Sequence, residues 1–202
     1  MFSLPNLLTW GRLLAIPFLI GLHFLPIDFY VRDMWATAIF IAAAITDWLD
    51  GYLARKLGQM SAFGAFLDPV ADKLIVATAL IILVSLGRLD ALVACIIVGR
   101  EITISALREW MAELGQRASV AVHSLGKFKT VAQLVAIPML LFDRKLFGVI
   151  DCRVIGYWLM LFAAVLTVWS MLYYLKQALP YFRGATTPIA GEPRKPESLK
   201  KK

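Results

Sequence analysis

Residues 47–72 have the sequence DWLDGYLARKLGQMSAFGAFLDPVAD, in which four aspartates lie between two apolar stretches. Asp47 and Asp50 follow the apolar run IFIAAAI, and Asp68 and Asp72 precede the run LIVATALIILV. An ionised aspartate at the centre of a bilayer costs about 2.5–3.5 kcal/mol on insertion scales. If the flanking runs cross a membrane, the four acids require a structural or functional explanation.

The composition of the whole chain supports a membrane location. Of its 202 residues, 60% are hydrophobic and only 17% are charged, and the mean hydropathy is +0.73. Soluble domains average about 45–50% apolar and about 25% charged residues. This composition excludes a disordered protein, and two cysteines exclude a disulfide scaffold. We attribute the net charge of +7 to anionic lipid and the positive-inside rule, and expect no nucleic-acid partner.

The apolar stretches predict an all-α integral membrane fold with six transmembrane helices. The connections on the side of both termini hold more lysine and arginine than those on the other side, so both termini are predicted to face the cytoplasm. An alternative for residues 5–14 is an N-terminal interfacial helix. Residues 1–179 form one catalytic domain in this interpretation, and the basic segment 180–202 a disordered cytoplasmic tail. The predicted spans are 7–26, 33–54, 66–87, 90–112, 128–143 and 152–175.

Helical spacing allows the four aspartates to form one site. Asp47 and Asp50 are three residues apart, and Asp68 and Asp72 are four apart, so each pair lies on one helix face. The two helices are antiparallel neighbours, and their acidic ends converge. Four carboxylates at contact repel one another, and two divalent cations, Mg²⁺ or Mn²⁺, would neutralise them. Two-metal sites commonly serve phosphoryl transfer.

Other interpretations of the acids stay open at this point. A single intramembrane aspartate often serves as a helix cap or in a proton relay, and a cation-coupled transporter would also use an acidic ion site. A channel ring is disfavoured because all four acids lie in one hairpin. Gly51, Ala54 and Gly64 lie beside the acids, where small residues serve helix packing or let a ligand approach, and Arg55 is suited to phosphate.

A second group of charges lies in the fourth and fifth apolar stretches. Arg100, Glu101 and Arg108 interrupt one helix, and Lys127 and Lys129 begin the next. Snorkelling to the membrane surface accounts for Lys127 but poorly for Arg100. Cations near an acidic metal site predict an acceptor substrate that carries its own phosphate.

The segment 47–72 resembles the signature of the CDP-alcohol phosphatidyltransferases. The resemblance rests on eight positions and implies a six-helix membrane fold, usually a homodimer, whose site opens to the cytoplasm. Members transfer a phosphatidyl or related group from a CDP-linked donor to an alcohol and release CMP. The positions are Asp47, Asp50, Gly51, Ala54, Arg55, Gly64, Asp68 and Asp72.

The resemblance also implies roles for individual residues. Asp47, Asp50, Asp68 and Asp72 would be metal ligands, with Asp72 also the general base. Gly51, Ala54, Arg55 and Gly64 would line the CDP site, and a weaker similarity in PNLLTWGR adds Asn6, Thr9 and Arg12.

The stretches around Arg100 and Lys129 resemble bacterial members of the family whose acceptor is glycerol 3-phosphate. Their donor is CDP-diacylglycerol, and this similarity implies the bacterial inner membrane as the location. The phosphate of the acceptor would bind Arg100, Arg108, Lys127 and Lys129. Inositol phosphate, serine or a second phospholipid remain alternative acceptors within the family.

Overall fold

Six helices and one small hairpin make up the computed structural model, which describes residues 4–57, 62–113 and 124–184. The six helices confirm the helical part of the sequence prediction. In chain order they are α1 (Leu4–Gly21), α2 (Phe29–Leu57), α3 (Ala62–Ser85), α4 (Ala91–Glu113), α5 (Ser124–Phe142) and α6 (Cys152–Gly184), with strands β1 (Lys145–Leu146) and β2 (Ile150–Asp151) between α5 and α6.

Local sequence accounts for several helix ends. The backbone N–H of Tyr30 donates to the carboxylate of Asp28 over 2.7 Å, which caps the start of α2. Asp151 accepts from the N–H of Val154 over 3.2 Å in the same way at the start of α6. Beyond the end of α3, Gly87 has a φ of 65°, a conformation that favours glycine.

Some helix bounds differ from the predicted spans. Helix α1 ends at Gly21, five residues before the predicted limit, and it runs without a break through the turns predicted as an interfacial helix. Helix α6 continues to Gly184, past the predicted start of the tail at residue 180. The hairpin was not predicted, because its strands have two residues each. Residues 185–202 of the predicted tail lie outside the described residues.

The outer surface of the bundle is strongly apolar. Large side chains such as Phe18, Ile81 and Trp169 are more than 60% exposed, which is typical of a surface that faces lipid. Two segments, Phe29–Leu49 and Cys152–Lys176, are long and apolar enough to cross a membrane. Charges within α3 and α4 interrupt their apolar runs, and six crossings therefore stay a prediction.

Helices α5 and α6 approach each other closely at Gly156. A β-carbon at this position would lie 3.0 Å from Leu140 Cγ, 3.1 Å from Met139 Cβ and 3.2 Å from the Ala136 carbonyl oxygen. Small residues permit such close contact between apolar helices.

Replacing Gly156 with alanine is therefore expected to destabilise the bundle. Overpacking typically costs about 1–3 kcal/mol, because one helix must move away from the other. The measurement is the apparent Tm of the purified protein in detergent. Gly99→Ala is the control, because no atom lies within 4 Å of the added carbon there. An unchanged Tm for Gly156→Ala would contradict the close packing.

A buried ion network joins three parts of the fold at the end opposite Asp47 and Asp72. Arg88, in the turn between α3 and α4, pairs with Asp33 of α2 and lies 3.1 Å from Asp143 after α5. Its guanidinium also donates to the carbonyl oxygens of Leu140 and Leu141, over 3.3 and 2.7 Å. These carbonyls belong to the last turn of α5, where no helical N–H is available to them.

Candidate active site

Helix α1 brings together three of the four predicted metal ligands. Thr9 donates a 2.6 Å hydrogen bond to Asp68 of α3. Arg12 Nη1 lies 2.9 Å from a carboxylate oxygen of Asp47 in α2 and also pairs with Asp72 in α3. The predicted convergence of the α2 and α3 acids is thus present in these contacts.

Thr9 and Arg12 are almost completely buried, at 1% and 2% exposure. The side chains of Asp47 and Asp72 remain 47% and 44% exposed, so a ligand can reach both carboxylates. Thr9 and Arg12 were predicted to bind the nucleotide, whereas here they contact the aspartates. Helix α1 therefore holds the aspartates in position through the Thr9 hydroxyl and the Arg12 guanidinium.

Part of the predicted site lies outside the described side chains. Six predicted site residues, given in the next sentence, have backbones in helices α1, α2 and α5. Gly64, another predicted site residue, is buried near the start of α3. The residues whose side chains are not described are Asn6, Asp50, Gly51, Ala54, Arg55 and Lys127.

The donor set suits a hard divalent cation. Among the described residues, no group of three or more His, Cys, Asp or Glu side chains could itself hold a metal ion. Asp47 and Asp72 nevertheless converge on a single guanidinium nitrogen, which shows that one positive charge can be shared between them. Carboxylate and hydroxyl oxygens are ligands preferred by Mg²⁺ and Mn²⁺, so the residues fit the predicted metals.

A second polar cluster lies between α4, α5 and α6. Glu101 accepts a 2.8 Å hydrogen bond from Arg100 and pairs through the same oxygen with Lys129. Arg100 also donates to the Ser170 hydroxyl over 2.9 Å. Arg100 and Lys129 are buried, and the cluster of two cations and one carboxylate therefore retains a net positive charge.

Arg108, another predicted acceptor cation, is placed differently. The guanidinium of Arg108 lies 5.6 Å from the centre of the Tyr174 ring, a cation–π contact on the α4–α6 side of the bundle. Arg108 is exposed, and Arg100 is buried. The structure thus brings Arg100 and Lys129 together and places Arg108 nearer the α6 surface.

A cavity of about 250 Å³ connects the acidic site with the second cluster. Its polar lining consists of Asp72 and Lys73 from α3, Glu101 from α4, and Thr130 and Gln133 from α5. Apolar residues of α3 and α4 form the remaining wall. A small molecule in this cavity would have Asp72 at one side and Glu101 at another.

Sequence reasoning missed several residues of this region. Glu101 could be recognised in the sequence as an acid within an apolar helix, but its pairing with Arg100 and Lys129 was not predicted. Gln133 and Ser170 gave none, because single polar residues in apolar helices are commonly satisfied within their own helix. Their positions on the cavity and beside Arg100 became evident only from the packing of α5 and α6.

Comparison with known protein families identifies the class of protein to which this fold and site belong. Residues 2–169 match the family described as CDP-alcohol phosphatidyltransferase. The chain belongs to this family, which confirms the resemblance seen in residues 47–72.

Curated proteins that share one name are similar to most of this chain. The CDP-diacylglycerol–glycerol-3-phosphate 3-phosphatidyltransferase of Salmonella choleraesuis is 49% identical over 179 residues, which cover 88% of this chain and 95% of the relative. The proteins with the same name from Shigella flexneri serotype 5b and Escherichia coli K12 are each 48% identical over the same shares.

Proposed function

We propose that this chain transfers the phosphatidyl group of CDP-diacylglycerol to sn-glycerol 3-phosphate. The products are phosphatidylglycerophosphate and CMP, and the activity belongs to phospholipid biosynthesis. The observation that carries the proposal is the cavity lined by both Asp72 and Glu101, the carboxylate that pairs with Arg100 and Lys129. The names of relatives 48–49% identical over 88% of the chain support the same donor and acceptor.

The chemistry requires a base beside an anion-binding region. The primary hydroxyl of the acceptor attacks the phosphorus atom that carries diacylglycerol, and the bond from this phosphorus to the CMP oxygen breaks. Asp72 accepts the hydroxyl proton, and CMP leaves as a phosphate monoester. We favour direct displacement over a covalent intermediate, since the segment from Asp47 to Asp72 contains no histidine or cysteine.

The chain's own residues prepare this reaction. Arg12 and Thr9 orient Asp47, Asp68 and Asp72 from the buried side, which leaves the outer carboxylate oxygens for ligands. Asp47, Asp50, Asp68 and Asp72 would hold two divalent cations, which supply charge neutralisation at the phosphoryl and leaving oxygens. Gly51, Ala54, Arg55 and Gly64 remain the proposed lining of the CDP site.

The Arg100–Lys129 pair is proposed to bind the acceptor's phosphate, together with Arg108 and Lys127. Glu101 holds Arg100 and Lys129 in place when the phosphate is absent. Since the phosphate carries more negative charge than Glu101, it can compete for the same donors.

Replacing Lys129 with alanine is expected to raise KM for glycerol 3-phosphate by roughly 10–150-fold. Hydrogen bonds to charged groups contribute about 1.5–3 kcal/mol, and about 1.4 kcal/mol corresponds to a factor of ten. Arg108→Ala should act in the same direction. The measurement is initial CMP release with the acceptor concentration varied.

The control is Lys145→Ala, which removes an exposed cation at the opposite end of the bundle. It should leave both KM values near those of the unmodified protein. KM for CDP-diacylglycerol should also change little in Lys129→Ala. Equal losses for both substrates would mean that Lys129 maintains the fold and has no direct part in acceptor binding.

The environment of the protein is part of the proposal. The exposed apolar surface supports contact with membrane lipids, and the bacterial relatives support the inner membrane. We propose six crossings, both termini and the active site on the cytoplasmic side, and a homodimer. The acidic ends of α2 and α3 would then meet the water-soluble acceptor at the cytoplasmic surface.

One assay separates this function from its alternatives. Purified protein is incubated with CDP-diacylglycerol and a panel of glycerol 3-phosphate, inositol phosphate and serine, and both CMP and the lipid product are identified. Glycerol 3-phosphate is expected to give the highest turnover. Preference for another alcohol would overturn the acceptor assignment, and cation-dependent transport without CMP release would overturn the enzyme assignment.

A further inference from the structure

Gln133 is a buried polar residue of α5 for which the proposed mechanism has no use. Its side chain is 6% exposed and lines the cavity that also contains Asp72 and Glu101. The amide nitrogen Nε2 has no hydrogen-bond partner among the residues that the structure describes. An unpaired buried amide is costly, and native proteins rarely retain one without a partner. The amide thus points to a ligand in the cavity.

The size and lining of the cavity indicate the class of ligand. Its volume of about 250 Å³ is below the roughly 300–1,000 Å³ typical of sites for drug-sized molecules. Lys73 and Gln133 offer hydrogen bonds, while Val76 and Ile97 offer apolar contact. This combination suits a short carbon chain that bears several oxygens. A long acyl chain would leave the polar groups without partners.

We propose that the Gln133 amide hydrogen-bonds the secondary hydroxyl of the acceptor, which neither attacks phosphorus nor carries the phosphate. Gln133 would then be a specificity-determining residue that favours glycerol 3-phosphate over an acceptor without this hydroxyl. The inference rests on the proposed function and adds a third contact to it. Asp72 faces the attacking hydroxyl, the Arg100–Lys129 pair binds the phosphate, and Gln133 binds the hydroxyl on the carbon between them.

The test compares two acceptors that differ only at this hydroxyl. Glycerol 3-phosphate and 3-hydroxypropyl phosphate compete in one reaction with CDP-diacylglycerol, and the ratio of the two lipid products gives the ratio of kcat/KM values. The unmodified protein should prefer glycerol 3-phosphate by about 5–100-fold, as expected for loss of the partner of a buried polar group. The ratio does not depend on how much of a preparation is folded.

Gln133→Met keeps the length of the side chain and removes the amide. The preference for glycerol 3-phosphate should fall to within about threefold, since an apolar site gains little from a hydroxyl. Gln133→Glu also removes the donor Nε2 and should lower the preference in the same direction. Leu134→Met, at the next position of α5 and outside the cavity lining, is the matched control and should retain the full preference.

Three results of the acceptor competition would contradict the proposed role of Gln133. An unchanged ratio in Gln133→Met overturns the inference while leaving the proposed function intact. A rise in KM for CDP-diacylglycerol with an unchanged acceptor ratio would assign the cavity to a lipid chain and overturn it as well. If the unmodified protein uses neither glycerol 3-phosphate nor 3-hydroxypropyl phosphate but releases CMP with another alcohol, the proposed function and the inference are both overturned.

Discussion

Removal of divalent cations with EDTA is expected to abolish CMP release. Asp47, Asp68 and Asp72 lie around Thr9 and Arg12, and one guanidinium cannot neutralise three carboxylates together with a pyrophosphate donor. Without further positive charge, the acids repel the donor and each other. Activity is measured as CMP release in detergent micelles that contain CDP-diacylglycerol.

Adding Mg²⁺ or Mn²⁺ in excess of the chelator should restore the activity. Recovery shows that EDTA did not unfold the protein, and Ca²⁺ provides a comparison with a larger ion that tolerates irregular coordination. Full turnover in a preparation shown by elemental analysis to be free of metal would refute the proposed two-metal site.

The variant Asp72→Asn is expected to lose about 10²–10⁴-fold in kcat, the usual contribution of a general base. An asparagine retains one oxygen that can contact a cation, but it cannot accept the proton of the attacking hydroxyl. Binding of CDP-diacylglycerol should be affected much less than turnover. The two quantities are obtained from single-turnover rates and from donor titration.

Asp90→Asn provides the matched control for this variant. Asp90 is an exposed residue at the start of α4, where its carboxylate accepts a 2.6 Å hydrogen bond from the Tyr157 hydroxyl. An asparagine oxygen can accept the same bond, and turnover should remain near that of the unmodified protein. Undiminished kcat in Asp72→Asn would exclude Asp72 as the base.

The helical fold could be predicted because its cause is local. Long apolar runs with short polar interruptions give six helices, and Asp47 and Asp72 lie in consecutive helices, α2 and α3. The family could be predicted for a related reason, since its motif lies within 26 consecutive residues. The helix ends were less predictable. Helix α1 continues through the segment predicted as an interfacial helix, and α6 continues past residue 180.

The contacts of the site depend on helices that are distant in the sequence. Arg12 and Asp72 are separated by 60 positions, and Arg100 and Ser170 by 70. Which face of α1 meets α3, and which face of α6 meets α4, follows from packing of the whole bundle. For this reason the sequence indicated Arg12 as functional but did not show that its partners are aspartates.

The network around Arg88 has a consequence for movement. One guanidinium bonds Asp33 of α2 and the final carbonyls of α5 from the turn between α3 and α4, so the ends of these helices are held at a common point. At the other end, Arg12 bridges α2 and α3 through Asp47 and Asp72. We expect a lipid donor that enters between these helices to displace the Arg12 contacts, while the contacts of Arg88 stay closed.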